Sequence, residues 1–408
     1  MKTGAFAEET AHSSSIPFKN VDLEVLRSIA IILVLIVHLP ELFLWRSFPI
    51  GNYFAPTGAV DLFFVISGYI ITTSLLNSIK KKQATTTIIK SFWIKRVFRI
   101  LPMAYLWTVI PILLAFSFNS SGVFGSTFRL ARDGLANVTQ TANFHWQVCN
   151  DVVELSGTCD IVEPRGQTPL APYWSLSTEE QFYMLFPLLL LFFDRRRLTI
   201  ALAFIPIVLL FVDRRRHFFY VLRFDAIAMG VLLAFAQTKD WYQEFYPKFL
   251  EKYGLGLLFA VAGALLIGLV GALSNVTFEQ SLVDAIAMSM VFVASFNKNL
   301  FTRPFVRLRP LFLWLGDRSY ALYLIHIPTY LLANELYFRW HGTSYSDAKF
   351  FVPLSALAMI LLFEEVSTAL IERPLRRYGR AWAKQVEAAR PTTLKARTPT
   401  RRNAAKRP

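Results

Sequence analysis

Long apolar runs separated by basic loops constrain this chain more than any other feature. The runs fall at about 25–45, 57–77, 97–117, 179–193, 198–213, 219–236, 254–273, 281–297, 311–332 and 350–370. Several approach the roughly twenty residues that a helix needs to cross a bilayer core. The fourth and fifth are shorter and are expected to tilt or to be partly covered by neighbours. None alternates with period two, which excludes a transmembrane barrel. Of 408 residues, 54% are hydrophobic and 37 are Phe, and a soluble domain has too little interior to hide that much apolar surface. The predicted class is all-α, a polytopic transmembrane bundle of about ten spans.

Charge sets the expected orientation. The net charge of +15 would suggest nucleic acid in a soluble chain. Here the basic residues lie between apolar runs, so no nucleic-acid partner is expected. Lys80, Lys81, Lys82, Lys90, Lys95, Arg96 and Arg99 precede or open the third run, Arg195 to Arg197 follow the fourth, and Arg303, Arg307 and Arg309 follow the eighth. Arg373, Arg376, Arg377 and Arg380 follow the tenth. The positive-inside rule makes these loops and both termini cytoplasmic, with 118–172, 274–280 and 333–349 external. Asp213 to His217 is basic on the external side and breaks the alternation, either as a re-entrant turn or as the lining of a wet cavity. Residues 1–20 are polar and no cleavable signal peptide is expected. A membrane domain over 21–380 would be followed by a basic tail, 381–408, expected to be disordered and to meet anionic lipid. Cys149 and Cys159 share one polar loop; they read as a disulfide on the oxidising side or as two free thiols.

Ionisable residues inside the runs point to function. Arg27 and His38 are eleven residues apart, about three helical turns, so they share one face and lie about 16 Å apart along the axis. Asp61 lies near the external end of the second run, at a depth similar to His38, where a carboxylate would fix the imidazole tautomer. Ser67 and Gly68 permit close helix approach. Arg96 and Arg99 form an i, i+3 pair at the cytoplasmic entrance, two guanidinium forks suited to a phosphorylated ligand. In Trp174 to Tyr183, Ser177 and Glu180 read as a capping box for a helix starting at Thr178, which leaves Glu179 to face the bundle. Trp174 and Tyr183 fit an interfacial aromatic belt. Arg223 and Asp225, two apart on a helix, diverge and each needs another partner. His326 is a second intramembrane imidazole. Glu372-Arg373-Pro374 reads as a structural stop. No metal-ligand spacing, P-loop, GxGxxG or GxSxG is present.

Together these residues resemble the acyltransferase 3 family of integral membrane acyltransferases, over about residues 20–380. Arg27 and His38 match its Arg-x10-His motif, and Arg96 and Arg99 its Arg-x2-Arg motif. Trp174-Ser175-Leu176, Glu179 and Phe182-Tyr183 match its Trp-Ser-Leu-x2-Glu-x2-Phe-Tyr motif. Gly58 to Gly68, Arg223 to Gly230 and Ser319 to His326 are similar to its other recurring blocks. Some members carry an additional hydrolase-like domain, and the chain would be a stand-alone member. The resemblance implies transfer of an acyl group, commonly acetyl from acetyl-CoA, to a hydroxyl of a carbohydrate or lipid-linked glycan in a bacterial inner membrane. Acyl-CoA would be a co-substrate, with no permanently bound cofactor. On this reading Arg27, Arg96 and Arg99 hold the donor phosphates and His38 is general base or acyl carrier. Asp61 or Glu179 orients it, and Trp174, Ser175, Tyr183, Arg223, Asp225 and His326 bind the acceptor. A transporter or flippase of an anionic lipid-linked sugar or metabolite is the competing reading, because it too needs buried charge.

Overall fold

The computed structural model describes residues 20–38, 53–148, 168–212, 223–273, 276–342 and 351–389. Every regular element among them is helical. In chain order these are α1 (Val21–His38), α2 (Ala59–Lys80), α3 (Thr85–Ser117), α4 (Thr127–Val138), α5 (Tyr173–Phe192) and α6 (Arg195–Leu209). They continue with α7 (Phe224–Ala236), α8 (Gly256–Gly271), α9 (Glu279–Ser295), α10 (Arg309–His341), α11 (Phe351–Ser367) and α12 (Arg373–Ala388).

Each of the ten apolar runs falls on a helix, but not every helix meets the demands of a span. Among the described residues three are long and apolar enough to cross a membrane: Pro56–Lys80, Thr85–Ser117 and Phe351–Ala388. A fourth is Asp240–Lys252 with Gly256–Gly271, if that pair, bent by 103°, acts as one. The reasons for the shortfall are physical. The first turns of α1 carry Asp22, Glu24 and Arg27. α6, α7, α8 and α9 run only 15, 13, 16 and 17 residues, about 20–26 Å at 1.5 Å per residue.

Large apolar side chains face outward as well as into the core, and several charged ones are drawn inside. Leu113, Phe116, Phe204, Leu258 and Leu362 are exposed, while Asp61, Asp225, Asp284 and Glu364 are fully buried. α1 is anchored at its start, where Asn20 Oδ1 accepts from the Leu23 amide at 3.1 Å. Asp22 accepts from the amides of Leu300 and Phe301 at 3.1 and 3.0 Å, which ties this end to the segment before α10. α2 and α7 meet backbone to backbone. A β-carbon on Gly68 would stand 2.2 Å from the Ile227 carbonyl oxygen, and one on Gly230 2.1 Å from that of Val65. Only glycine fits at either position.

Two terminal expectations change. Glu372-Arg373-Pro374 does not stop the chain's helix: α11 passes through a π-helical turn, Thr368–Glu372, into α12. Pro374 lies in the first turn of α12, directly after the π-helical turn. α12 continues beyond residue 381, where the tail was placed, because Gly379 and Ala383 bury one face. Phe98 of α3 lies against Gly379 and within 5.3 and 5.8 Å of the Tyr378 and Trp382 rings. Cys149, Cys159 and the segment Asp213 to His217 lie outside the described residues.

Candidate active site

A cavity opens between α1, α2, α3, α5 and α10. Its polar lining is concentrated in two groups.

The first group is cationic. Arg27 from α1 and Arg96 and Arg99 from α3 all face the cavity. Their convergence follows from sequence. Arg27 lies on the inner face of α1, and a three-residue spacing puts both α3 arginines on one side of that helix. Arg27 reaches Glu24 at 3.5 Å, and its buried Nε has no hydrogen-bond partner. Arg96 and Arg99 have no salt-bridge partner among the described residues. Arg96 instead lies over the rings of Tyr183 and Phe92, at 5.0 and 5.6 Å from their centroids. Three like charges sharing one enclosure repel each other, and an anionic ligand relieves that repulsion.

The second group is a closed ring of three hydroxyl and carboxyl side chains. Ser67 Oγ donates to Glu179 Oε1 at 2.7 Å, Tyr183 donates to Glu179 Oε2 at 2.9 Å, and the two hydroxyls are 2.9 Å apart. Glu179 and Tyr183 are neighbours because i, i+4 residues stack on one helix face. α5 starts at Tyr173 after Pro172, a turn before Thr178, so the capping-box reading fails. Ser177 lies inside the helix, where its Oγ accepts from the Ala142 amide at 3.2 Å. Glu179 faces inward as expected.

Farther along, the Ser175 and Tyr323 hydroxyls are 2.6 Å apart and both line the cavity. The Tyr323 ring lies 5.9 Å from that of His326, and His326 lies 5.0 Å from His38 in an edge-on arrangement. Each imidazole is fixed by its own helix. Nδ1 of His38 lies 3.0 Å from the Val34 carbonyl and Nδ1 of His326 3.2 Å from that of Leu322. A carbonyl only accepts, so both Nδ1 atoms carry the proton and both Nε2 atoms carry a lone pair. Nε2 of the fully buried His326 has no partner, an arrangement that costs about 1–3 kcal/mol.

The expected Asp61–His38 contact is not formed. Asp61 Oδ2 accepts from Arg223 Nη1 at 2.6 Å, and the Arg223 guanidinium lies 5.4 Å from the Trp174 ring centroid. Trp174 also meets the edge of Phe64 at 6.2 Å. Asp61, Arg223 and Trp174 therefore form a packed polar group behind the cavity rather than part of its lining. Asp225 is fully buried and also lies off the lining. The arginines, Ser175, Glu179 and Tyr183 do line it. The sequence reading missed Ser67 as a partner of Glu179 and Ser319, Tyr320 and Tyr323 as lining residues. Ser319 and Tyr323 sit at i, i+4 ahead of His326, a spacing that marks one helix face.

The chain is 28% identical over 378 residues to the O-acetyltransferase OatA of Staphylococcus aureus strain NCTC 8325, a match covering 88% of this chain and 57% of that protein. The strain COL protein of the same name matches equally, at 28% over 378 residues. The chain thus spans little more than half the length of these relatives. No solved structure matches it. The family model for the acyltransferase domain matches residues 20–363, and the chain belongs to the acyltransferase 3 family.

Proposed function

We propose that this protein is a multi-pass membrane O-acyltransferase that moves an acyl group, acetyl by preference, from acyl-CoA to a hydroxyl of a carbohydrate or lipid-linked glycan. The observation that carries this reading is one cavity with unpaired guanidinium groups at one end and an imidazole pair beyond the other. The helices that carry the ten apolar runs serve as spans of a bacterial inner membrane, with both termini and the arginine end on the cytoplasmic side, where the basic loops belong.

Arg27, Arg96 and Arg99 hold the donor's phosphates by bidentate, charge-assisted hydrogen bonds. The thioester arm extends up the cavity past the Ser67–Glu179–Tyr183 ring, whose hydroxyls are held in place by one carboxyl group. His38 Nε2 takes the proton of the acceptor hydroxyl as its oxygen attacks the thioester carbonyl. The Ser175–Tyr323 hydroxyls, on the lining beside the imidazole pair, are the donors proposed for the oxyanion that forms, and turn to it from the Pro172 carbonyl. Collapse breaks the C–S bond, and the proton passes to sulfur. Asp61 acts one step away, by holding Arg223 and through it Trp174.

The test uses purified protein in lipid nanodiscs with labelled acetyl-CoA and an extract of host glycans and lipids. The expected result is labelled ester and free CoA from wild type and neither from His38→Ala at equal protein level. Specific retention of an extracted glycan without CoA release would overturn the reading in favour of transport.

A further inference from the structure

We infer that His326 is the proton partner of His38, a positioning residue that shares the proton taken from the acceptor. The inference rests on the acyltransfer reading and goes beyond it. Catalytic imidazoles are commonly oriented by a carboxylate on Nδ1. Here that place is filled by the Val34 carbonyl, and both carboxylates that sequence proposed for the task are engaged elsewhere, Asp61 with Arg223 and Glu179 with Ser67 and Tyr183. A carbonyl fixes the tautomer but carries no charge to balance the imidazolium that catalysis creates.

The neighbouring ring supplies no counter-charge, but it has a lone pair over which the proton can be shared. His326 is fully buried, its Nδ1 is held by the Leu322 carbonyl, and its Nε2 has no partner. Among the described residues, the ring that meets it edge-on is that of His38, at 5.0 Å between centroids. As the acceptor oxygen bonds to the thioester carbon, its proton moves to Nε2 of His38. The imidazolium then donates to the lone pair on Nε2 of His326, and the pair holds one proton between two rings. When the C–S bond breaks, that proton goes to the leaving sulfur and both rings return to neutral. No further acid, base or oxidant is needed.

The two amide side chains separate this role from packing. Asn reproduces donation from the Nδ1 position and leaves nothing at Nε2, whereas Gln places an acceptor near Nε2 that cannot take a proton. His326→Asn is expected to lower kcat by about 10²–10³-fold, within the usual range for proton-transfer catalysis, with donor KM changed by no more than about threefold and an unchanged melting temperature. His326→Gln is expected to regain about tenfold of that kcat. An Asn variant with kcat near wild type overturns the inference, as do equal losses in both variants that track a fall in melting temperature. Where the Asn protein does not accumulate, a wild-type kcat in His326→Gln overturns it. Wild-type transfer lost in His38→Ala but kept in both His326 variants defeats this inference alone. Absence of transfer by the wild type defeats the acyltransfer reading and this inference with it.

Discussion

Arginine occurs inside this bundle in two opposite settings. Arg223 is held by Asp61 at 2.6 Å, and Arg318 by Glu364 at 3.1 Å and Glu365 at 2.6 Å. Each also lies over an indole, Trp174 for the first and Trp314 for the second. Arg96 and Arg99 line the cavity in no salt bridge among the described residues, with Arg96 over the Tyr183 ring and Glu179 engaged by Ser67 and Tyr183. The first setting is complete: every charge has its counter-charge, so the arginine holds helices together. The second is complete only when something anionic enters. Buried charge alone therefore does not mark a functional site. What marks it is a missing partner on the wall of a cavity.

The comparison can be broken experimentally. The largest effect is expected at Asp61, since Asp61→Ala leaves Arg223 buried without its counter-charge, a loss of about 3–5 kcal/mol. It should appear as a fall in melting temperature in detergent or as failure to accumulate; wild-type stability would show that this arginine is no structural strut. Arg99→Ala should do the reverse. It removes one member of a repelling set, so the melting temperature should hold. The donor KM should rise by about 10–100-fold, the size of a lost hydrogen bond to a charged group. A KM at the wild-type value would end the case for phosphate at this end of the cavity. Ser67→Ala removes one of two hydroxyls held by Glu179 and should cost about 1 kcal/mol of stability, with a lower kcat rather than a higher donor KM. The smallest effect belongs to the exposed Lys95–Glu387 pair on α3 and α12. Lys95→Ala should change stability by less than about 1 kcal/mol and leave both kinetic constants alone; a large drop would mean that α12 is held by charge rather than by Phe98 against Gly379.

The local half of this site was legible in sequence and the tertiary half was not. The helical phase that joins Arg27 to His38, the spacing of Arg96 and Arg99, and the inward face of Glu179 each follow from 3.6 residues per turn. Helix boundaries fared worse where a proline signal was passed over: Pro172 marks the start of α5 better than Ser177 does. Pairings across the bundle carry no periodic trace. Ser67 meets Glu179 across 112 positions, Asp61 meets Arg223 across 162, and His38 meets His326 through α1 and α10. From sequence, similar depth paired Asp61 with His38, whereas the structure pairs it with Arg223. Apolar runs announce helices, but α4 and α12 carry no such run, and short helices such as α7 and charged ones such as α10 do not announce how far they reach.

The glycine seam between α2 and α7 has a mechanical consequence. Main chain resting on main chain leaves no side chain to swing aside, so these two helices move as one piece. α2 supplies much of one wall of the cavity, including Phe63, Ser67 and Ile70. That wall is the stationary jaw. α5 and α10 reach it through side chains and hydroxyl contacts, which break and re-form at little cost. Any widening of the cavity is therefore expected from α5 and α10 rather than from α2, and a cross-link between α5 and α2 is expected to slow turnover, whereas one between α2 and α7 is expected to leave it unchanged.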